Sequence, residues 1–145
     1  MLITRATDYA LRKLRVLLDG EKHSAAEMAE TELIPMQFAY QILRKLSAGE
    51  LVQVSRGAAG GCRLSCDLRG VSLYDLMAVM GEHDVLCACM EPGYDCRWQS
   101  EHGKCAIHCQ LTELQRKQDK AFRAVSLHRL LTGEAIQKEE ATQQT

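Results

Sequence analysis

Pro35-Met36-Gln37-Phe38-Ala39-Tyr40-Gln41-Ile42-Leu43-Arg44-Lys45-Leu46, then Leu51-Val52-Gln53-Val54, then Arg56-Gly57-Ala58-Ala59-Gly60-Gly61-Cys62-Arg63-Leu64, is the stretch that decides the fold. Proline suits the first position of a helix, where its missing N–H would have no partner anyway. Phe38, Ile42, Leu43 and Leu46 then recur at helical spacing, and Gly49 marks the stop. Leu51 to Val54 alternates as a strand does. The glycine-rich turn after Arg56 tolerates positive φ at little cost, so Cys62-Arg63-Leu64 reads as the return strand of a hairpin.

Working back toward the start, Ser24-Ala25-Ala26-Glu27 is a capping box that opens a short helix to about Thr31. Before it, Ala6, Ala10, Leu14 and Leu17 form one apolar face, with Thr4 as N-cap and Gly20 as terminator. Helix, helix, turn, helix and β-hairpin is the order of a winged helix-turn-helix. Working forward, Ser72 opens a helix with Leu73, Leu76, Met77 and Met80 on its apolar face. Residues 83–109 show no clean period and carry five cysteines. A long amphipathic helix is expected from about Ala106 to Leu131, with Leu111, Leu114, Phe122, Val125 and Leu130 along one side. The expected architecture is mainly α with a small β-hairpin. It comprises a winged helix-turn-helix over 1–82, a cysteine-rich cofactor loop over 83–109, a long C-terminal helix over 106–132 and a flexible tail over 133–145.

With its apolar stripe turned inward, the 35–46 helix presents Gln37, Tyr40, Gln41 and Arg44 on its other face. Glutamine suits adenine and arginine suits guanine in the major groove. Arg56 at the tip of a thin wing, with Gly60 and Gly61 beside it, suits the minor groove, and Lys45 and Arg63 suit phosphates. The bland alternative is a solvated polar face. Overall charge argues neither way: 18 Lys and Arg against 19 Asp and Glu give -1. Residues 1–65 carry 9 Lys/Arg against 7 Asp/Glu, and residues 66–145 carry 9 against 12. The front half is thus slightly basic, which permits a DNA-facing surface.

The start of the chain has no apolar run of signal-peptide type, and no stretch approaches membrane-spanning length, so a cytoplasmic protein without a membrane partner is expected. Seven cysteines are then the anomaly, because a reducing cytosol disfavours structural disulfides and an odd count cannot pair fully. Cys89, Cys96 and Cys105 can converge from a flexible loop, and His108 follows Cys105 by one helical turn. Such a set suits an iron–sulfur cluster, of 2Fe-2S or 4Fe-4S type, or a zinc ion. Spacing alone does not separate the two metals, and free thiols forming a redox disulfide are the third reading. Cys62 and Cys66 read as small apolar residues, while Cys87 and Cys109 stay ambiguous. A small iron–sulfur redox protein is the rival of another class, but no catalytic dyad supports an enzyme and the wing would go unused.

Thr7-Asp8-Tyr9-Ala10-Leu11-Arg12, the run Phe38 to Leu46 and the run Arg56 to Leu64 resemble the Rrf2 family of transcription regulators over about residues 1–132. The wing motif is the most specific part. The resemblance implies a homodimeric repressor, paired through the long C-terminal helix, that binds a palindromic operator and senses redox state, nitric oxide or iron–sulfur supply. Cluster-bearing members use three cysteines in the loop before that helix, and Cys89, Cys96 and Cys105 occupy those places. In some members an aspartate from the first helix of the other subunit completes the site, and Asp8 stands at that position. The implied fourth ligand is therefore His108 or Asp8. The chain departs from the pattern in a longer gap between Cys96 and Cys105, in Cys62 where an aromatic is usual, and in the extra Cys87 and Cys109.

Overall fold

The computed structural model describes residues 2–82 and 85–134. Helix α1 (Arg5–Val16) starts at Thr4, whose hydroxyl accepts from the Thr7 amide, and runs into a 3-10 turn closed by Gly20 at φ 80°. Helix α2 (Ala25–Thr31) carries the expected capping box in full: Glu27 N donates to Ser24 Oγ at 3.1 Å and Ser24 N donates to Glu27 Oε2 at 2.6 Å. Helix α3 (Met36–Ala48) follows, with Pro35 as its N-cap rather than its first helical residue. Strands β1 (Val52–Ser55) and β2 (Gly61–Leu64) form the antiparallel hairpin, Val54 opposite Cys62. The Cys62 backbone also exchanges two hydrogen bonds with His23, which pins β2 to the segment ahead of α2.

Helix α4 (Leu73–Met80) opens on a second capping box, Ser72 with Asp75. One core joins these elements. Ala10 and Leu14 of α1, Leu17 of the 3-10 turn after it, Met28, Ile42, Leu43 and Leu46 of the reading unit, Val52 and Cys62 of the hairpin, and Leu76 and Met80 of α4 are all buried. The two long runs expected after α4 differ from the sequence reading. The cysteine loop is not shapeless: it contains a 3-10 turn at Ala88–Met90 and helix α5 (Arg97–His102). The helix expected to continue from 106 to 131 is broken into α6 (Ala106–Arg123) and α7 (Leu127–Thr132).

The break has a tertiary cause. Leu73 N donates to Val125 O at 2.9 Å, Leu127 N donates to Val71 O at 2.8 Å, and the Ser126 side chain caps α7. Residues 71–73 thus take over backbone groups that a continuous helix would satisfy internally, and Leu127 drops fully into the core beside α1. Helix α6 in contrast buries no residue completely. Residues 83, 84 and 135–145 lie outside the described residues, so the tail expected over 133–145 is described only at Gly133 and Glu134. No helix among the described residues is long and apolar enough to cross a membrane.

Candidate nucleic-acid interface and cysteine cluster

Helix α3 turns Ala39, Ile42, Leu43 and Leu46 into the core, and that orientation fixes the opposite face. Gln37, Tyr40, Gln41 and Arg44 are all exposed there, Tyr40 at 67%. Between this face and the hairpin lies an open groove of about 890 Å³, lined among others by Ser24, Tyr40, Arg44, Val54, Arg56 and Gly60. No described side chain engages Arg44 or Arg56, so both guanidinium groups keep their donors for a ligand.

The hairpin is held in place by contacts the sequence did not reveal. Lys22 Nζ donates to Ala59 O at 3.2 Å across the wing turn. The glycines make that approach possible. A Cβ on Gly61, whose φ is 156°, would stand 2.7 Å from Lys22 Cγ and 3.0 Å from His23 O. A Cβ on Gly60 would meet Ser55 O at 2.5 Å. Arg63 is exposed on β2 and donates to Gln53 Oε1 at 3.3 Å, a cross-strand pair on the outer face of the wing. Lys45 makes a contact within the chain. Its ammonium donates to Met80 O at 2.8 Å and caps the C-terminal end of α4, where a cation meets the negative end of the helix dipole. It sits on the flank of α3, between the core stripe and the exposed face, and this bond uses one of its three N–H donors.

Beneath the wing, Lys13 of α1 is completely enclosed and its Nζ has no hydrogen-bond partner among the described residues. Burial pulls its ammonium below the ordinary lysine range, with Cys62 acting against that shift. Burial likewise pushes the Cys62 thiol up to about 11, with Lys13 opposing. Cys62 is thus a core residue, as its apolar reading implied. Cys66 is half-buried.

The second constellation gathers at the start of α6. Cys105 is the N-cap of that helix, its sulfur 3.5 Å from the His108 amide. The His108 ring lies on the same helix face, with Nδ1 3.5 Å from Cys89 Sγ. Cys89 in turn contacts Cys87 at 3.5 Å between sulfurs. The Cys89 amide and thiol both address the Cys87 sulfur, which holds the Cys87 thiol below its usual range and the Cys89 thiol above it. The loop is tied to α6 by Leu86 N donating to Gln115 Oε1 at 2.8 Å.

Bonds of about 2.3 Å to sulfur and 2.0–2.1 Å to imidazole nitrogen give an S···N edge of about 3.6 Å around a tetrahedral metal. The Cys89–His108 pair matches that edge. Cys96 and Cys105 act on Cys89 electrostatically. Among the described residues, however, no three His, Cys, Asp or Glu side chains converge on one point. The donor set suits a soft metal in kind, and closing it requires Cys96 and Cys105 to move inward. Asp8 is on α1, paired with Arg12 at 3.0 Å and about half exposed.

One further contact links the two constellations. Glu82, at the entrance to the cysteine loop, accepts from the hydroxyls of Thr4 and Thr7 and, at 3.4 Å, from the Thr4 amide. Its carboxylate thereby sits on the N-terminus of α1, the end that favours negative charge. Nothing in the local sequence around Glu82 signals this role, because its partners lie 75 and 78 positions earlier.

The profile of the Rrf2 family, described as iron-dependent transcriptional regulators, matches residues 3–133. A curated relative, protein aau3 of Rhizobium meliloti (strain 1021), is 33% identical over 99 residues, covering 66% of this chain. The match spans 64% of that relative's own length. Among solved structures, a Listeria innocua protein described as a transcriptional regulator superposes with a TM-score of 0.71 at 19% identity, over 99% of this chain and 94% of its own. IscR of T. potens gives 0.66 at 16% identity, over 92% and 88%. CymR, the global cysteine regulator of B. subtilis, gives 0.67 at 16% identity, over 92% and 98%. At these identities the superpositions establish the shared fold.

Proposed function

The chain belongs to the Rrf2 family of transcriptional regulators, not to a family of enzymes, and from that premise we propose that it is a dimeric repressor that binds a palindromic operator, its affinity set by an iron–sulfur cluster. The observation that carries the DNA reading is the groove between α3 and the wing, with Arg44 and Arg56 on its walls and neither engaged within the chain. In this reading α3 enters the major groove and directs Gln37, Tyr40, Gln41 and Arg44 to base edges. Arg56 follows the thin Gly57–Gly61 turn into the adjacent minor groove. Arg63 lies over the phosphates.

Dimerisation is proposed through α6. Ile107 is 71% and Leu114 is 53% exposed, one heptad apart on a helix that buries nothing completely in the monomer. A second copy covering them would set the spacing of the two reading heads, which must match half-sites about 34–36 Å apart.

For the cofactor we assign Cys89, Cys96, Cys105 and His108 as ligands, with the partner's first helix offering Asp8 as the alternative fourth. When bound, the cluster supplies a centre that gains or loses electrons and is destroyed by oxidants or nitric oxide. What the chain itself contributes is the coupling. Glu82 joins the loop entrance to the start of α1, Leu86 joins it to α6, and both helices contact the reading domain through the shared core. A loop that is drawn closed or released therefore acts on α1 and α6 together. The size of the effect is limited by the difference in affinity of the two loop states for DNA.

The test is anaerobic purification followed by an absorption spectrum and assays of iron, sulfide and zinc. Visible absorption with iron and sulfide, lost in Cys89→Ala, Cys96→Ala and Cys105→Ala, supports the assignment. A colourless protein with zinc replaces the cluster by a structural metal, and no metal in anaerobic preparations refutes the cofactor reading. Operator binding measured on the same samples stands separately, and its absence in every state refutes the repressor.

A further inference from the structure

Cys87 and Cys89 are separated by a single residue, and their sulfurs are already 3.5 Å apart. The backbone around them is fixed rather than loose. Met90 N donates to Cys87 O at 2.9 Å and Glu91 N donates to Ala88 O at 3.0 Å, closing the 3-10 turn that Cys87 caps. Both thiols are half-buried, so small oxidants reach them. Cys89 is shared between two neighbours: its sulfur touches Cys87 on one side and the His108 ring on the other.

We propose that, in the metal-free protein, Cys87 and Cys89 close to a disulfide that locks the site against its cofactor. The co-reactant is a peroxide. One thiol reacts with hydrogen peroxide to give a sulfenic acid and water. The second thiol then attacks that sulfur, the S–S bond forms, and a second water leaves with the remaining thiol proton. The two sulfurs together lose two electrons to the peroxide, and a cellular dithiol returns them.

Proximity decides which pair forms. A thiol held in contact by one intervening residue competes at a high effective concentration against thiols that must be carried in from α5 or α6. The product removes Cys89 as a ligand, since a disulfide sulfur offers no thiolate. Cys87 thus explains itself without being a ligand. It protects Cys89 from irreversible over-oxidation and ties cofactor loading to the thiol state. The loading half of the proposal rests on the cluster assignment above; the thiol pairing does not.

The experiment uses the full-length chain, stripped of metal and reduced, then treated with one equivalent of hydrogen peroxide. Cleavage after glutamate releases the fragment between Glu82 and Glu91, whose only cysteines are Cys87 and Cys89. The expected result is that this fragment becomes lighter by two hydrogen atoms, and that Cys87→Ser and Cys89→Ser each abolish the change, with dimedone trapping a sulfenic acid on the remaining cysteine in at least one of the two. Loss of an outer-shell partner alone costs about 10–100-fold in metal affinity, so withdrawing Cys89 should lower iron and sulfide loading at least about tenfold until dithiothreitol is added. A fragment of unchanged mass, or Cys89 cross-linked to Cys96 or Cys105, overturns the pairing. A linked protein that loads as well as the reduced one overturns the lock. If the reduced wild type loads no cluster, the cluster assignment and the lock fall together, and the fragment mass alone judges the pairing.

Discussion

Replacing Lys13 by methionine should stabilise the protein, and the gain should shrink as pH rises. Lys13 is fully enclosed under the wing and its amine has no partner among the described residues. Burying a polar group without a hydrogen bond costs about 1–3 kcal/mol in proteins. Methionine fills nearly the same volume and carries no such group, so it should recover an energy of that order.

A second contribution depends on pH. Burial lowers the Lys13 pKa below its ordinary 10.5 in the folded chain. Between the folded and unfolded values the unfolded chain binds one more proton than the folded chain. Folding stability of the wild type therefore rises with pH through that window, by at most about 1.4 kcal/mol per pH unit for one proton. Methionine abolishes the slope, so its advantage is greatest at low pH and smallest near 10.5. Cys62 has the opposite sign. Its thiol, ordinarily near 9.0, is held at about 11, so above 9.0 the unfolded chain loses a proton that the folded chain keeps. Stability then falls with pH, by about 3 kcal/mol over the full interval. The assay is urea unfolding of the reduced, metal-free chain followed by circular dichroism from about pH 6 to 10. A methionine variant that is less stable than wild type, or whose advantage does not change with pH, refutes the reasoning.

Three other outcomes follow from the same structure. Arg44→Ala should weaken operator binding by about 1–3 kcal/mol and relax the preference at one base pair, which fluorescence anisotropy on a set of single-base operator variants will resolve. Gly61→Ala should lower operator affinity at least about tenfold while leaving helix content intact, because its Cβ displaces Lys22 and with it the wing; the loss should be seen with equal binding-site concentration by titration. Ile107→Asp should separate the dimer: each isoleucine side chain buried contributes about 1.5–3 kcal/mol, and two are lost per dimer, so sedimentation should show self-association weakened by at least about 100-fold.

The reading domain was legible because its signals are local. A capping box, a proline, an apolar stripe and a cluster of glycines each act within a few residues of the structure they specify. The exposed face of α3 followed directly from which residues its other face buried. The Lys45 contact left no signal because a flank position has no periodic signature, and the carbonyl it meets, Met80 O, lies 35 positions away. The end of α6 misled for a similar reason. Val125 and Leu130 continue the helical period, and only the pairing of Ser126 with Ser72 interrupts it. In the cysteine loop, spacing placed Cys105 and His108 on one face, as observed. That Cys89 reaches His108, and that Cys87 reaches Cys89, depends on a 3-10 turn too short to leave a periodic trace.

Helix α1 has one property that neither constellation shows alone. Its N-terminus is capped by Glu82, which belongs to the entrance of the cysteine loop. Just over two turns later it places Lys13 in the buried interior with Cys62, and each shifts the other's ionisation beneath the wing. The β2 backbone at Cys62 is pinned in turn to His23, next to the Lys22 that braces the wing turn. Glu82, α1, Cys62 and the wing turn are thus joined by successive contacts, the last of which, Lys22 to Ala59, lies at the surface. Packed cores do not deform smoothly, and a buried amine without a partner leaves this one short of its best arrangement. A core in that condition has less to lose by shifting than a fully satisfied one. The enclosed lysine lies within this chain of contacts, and methionine there would restore the stability that its unpartnered amine costs.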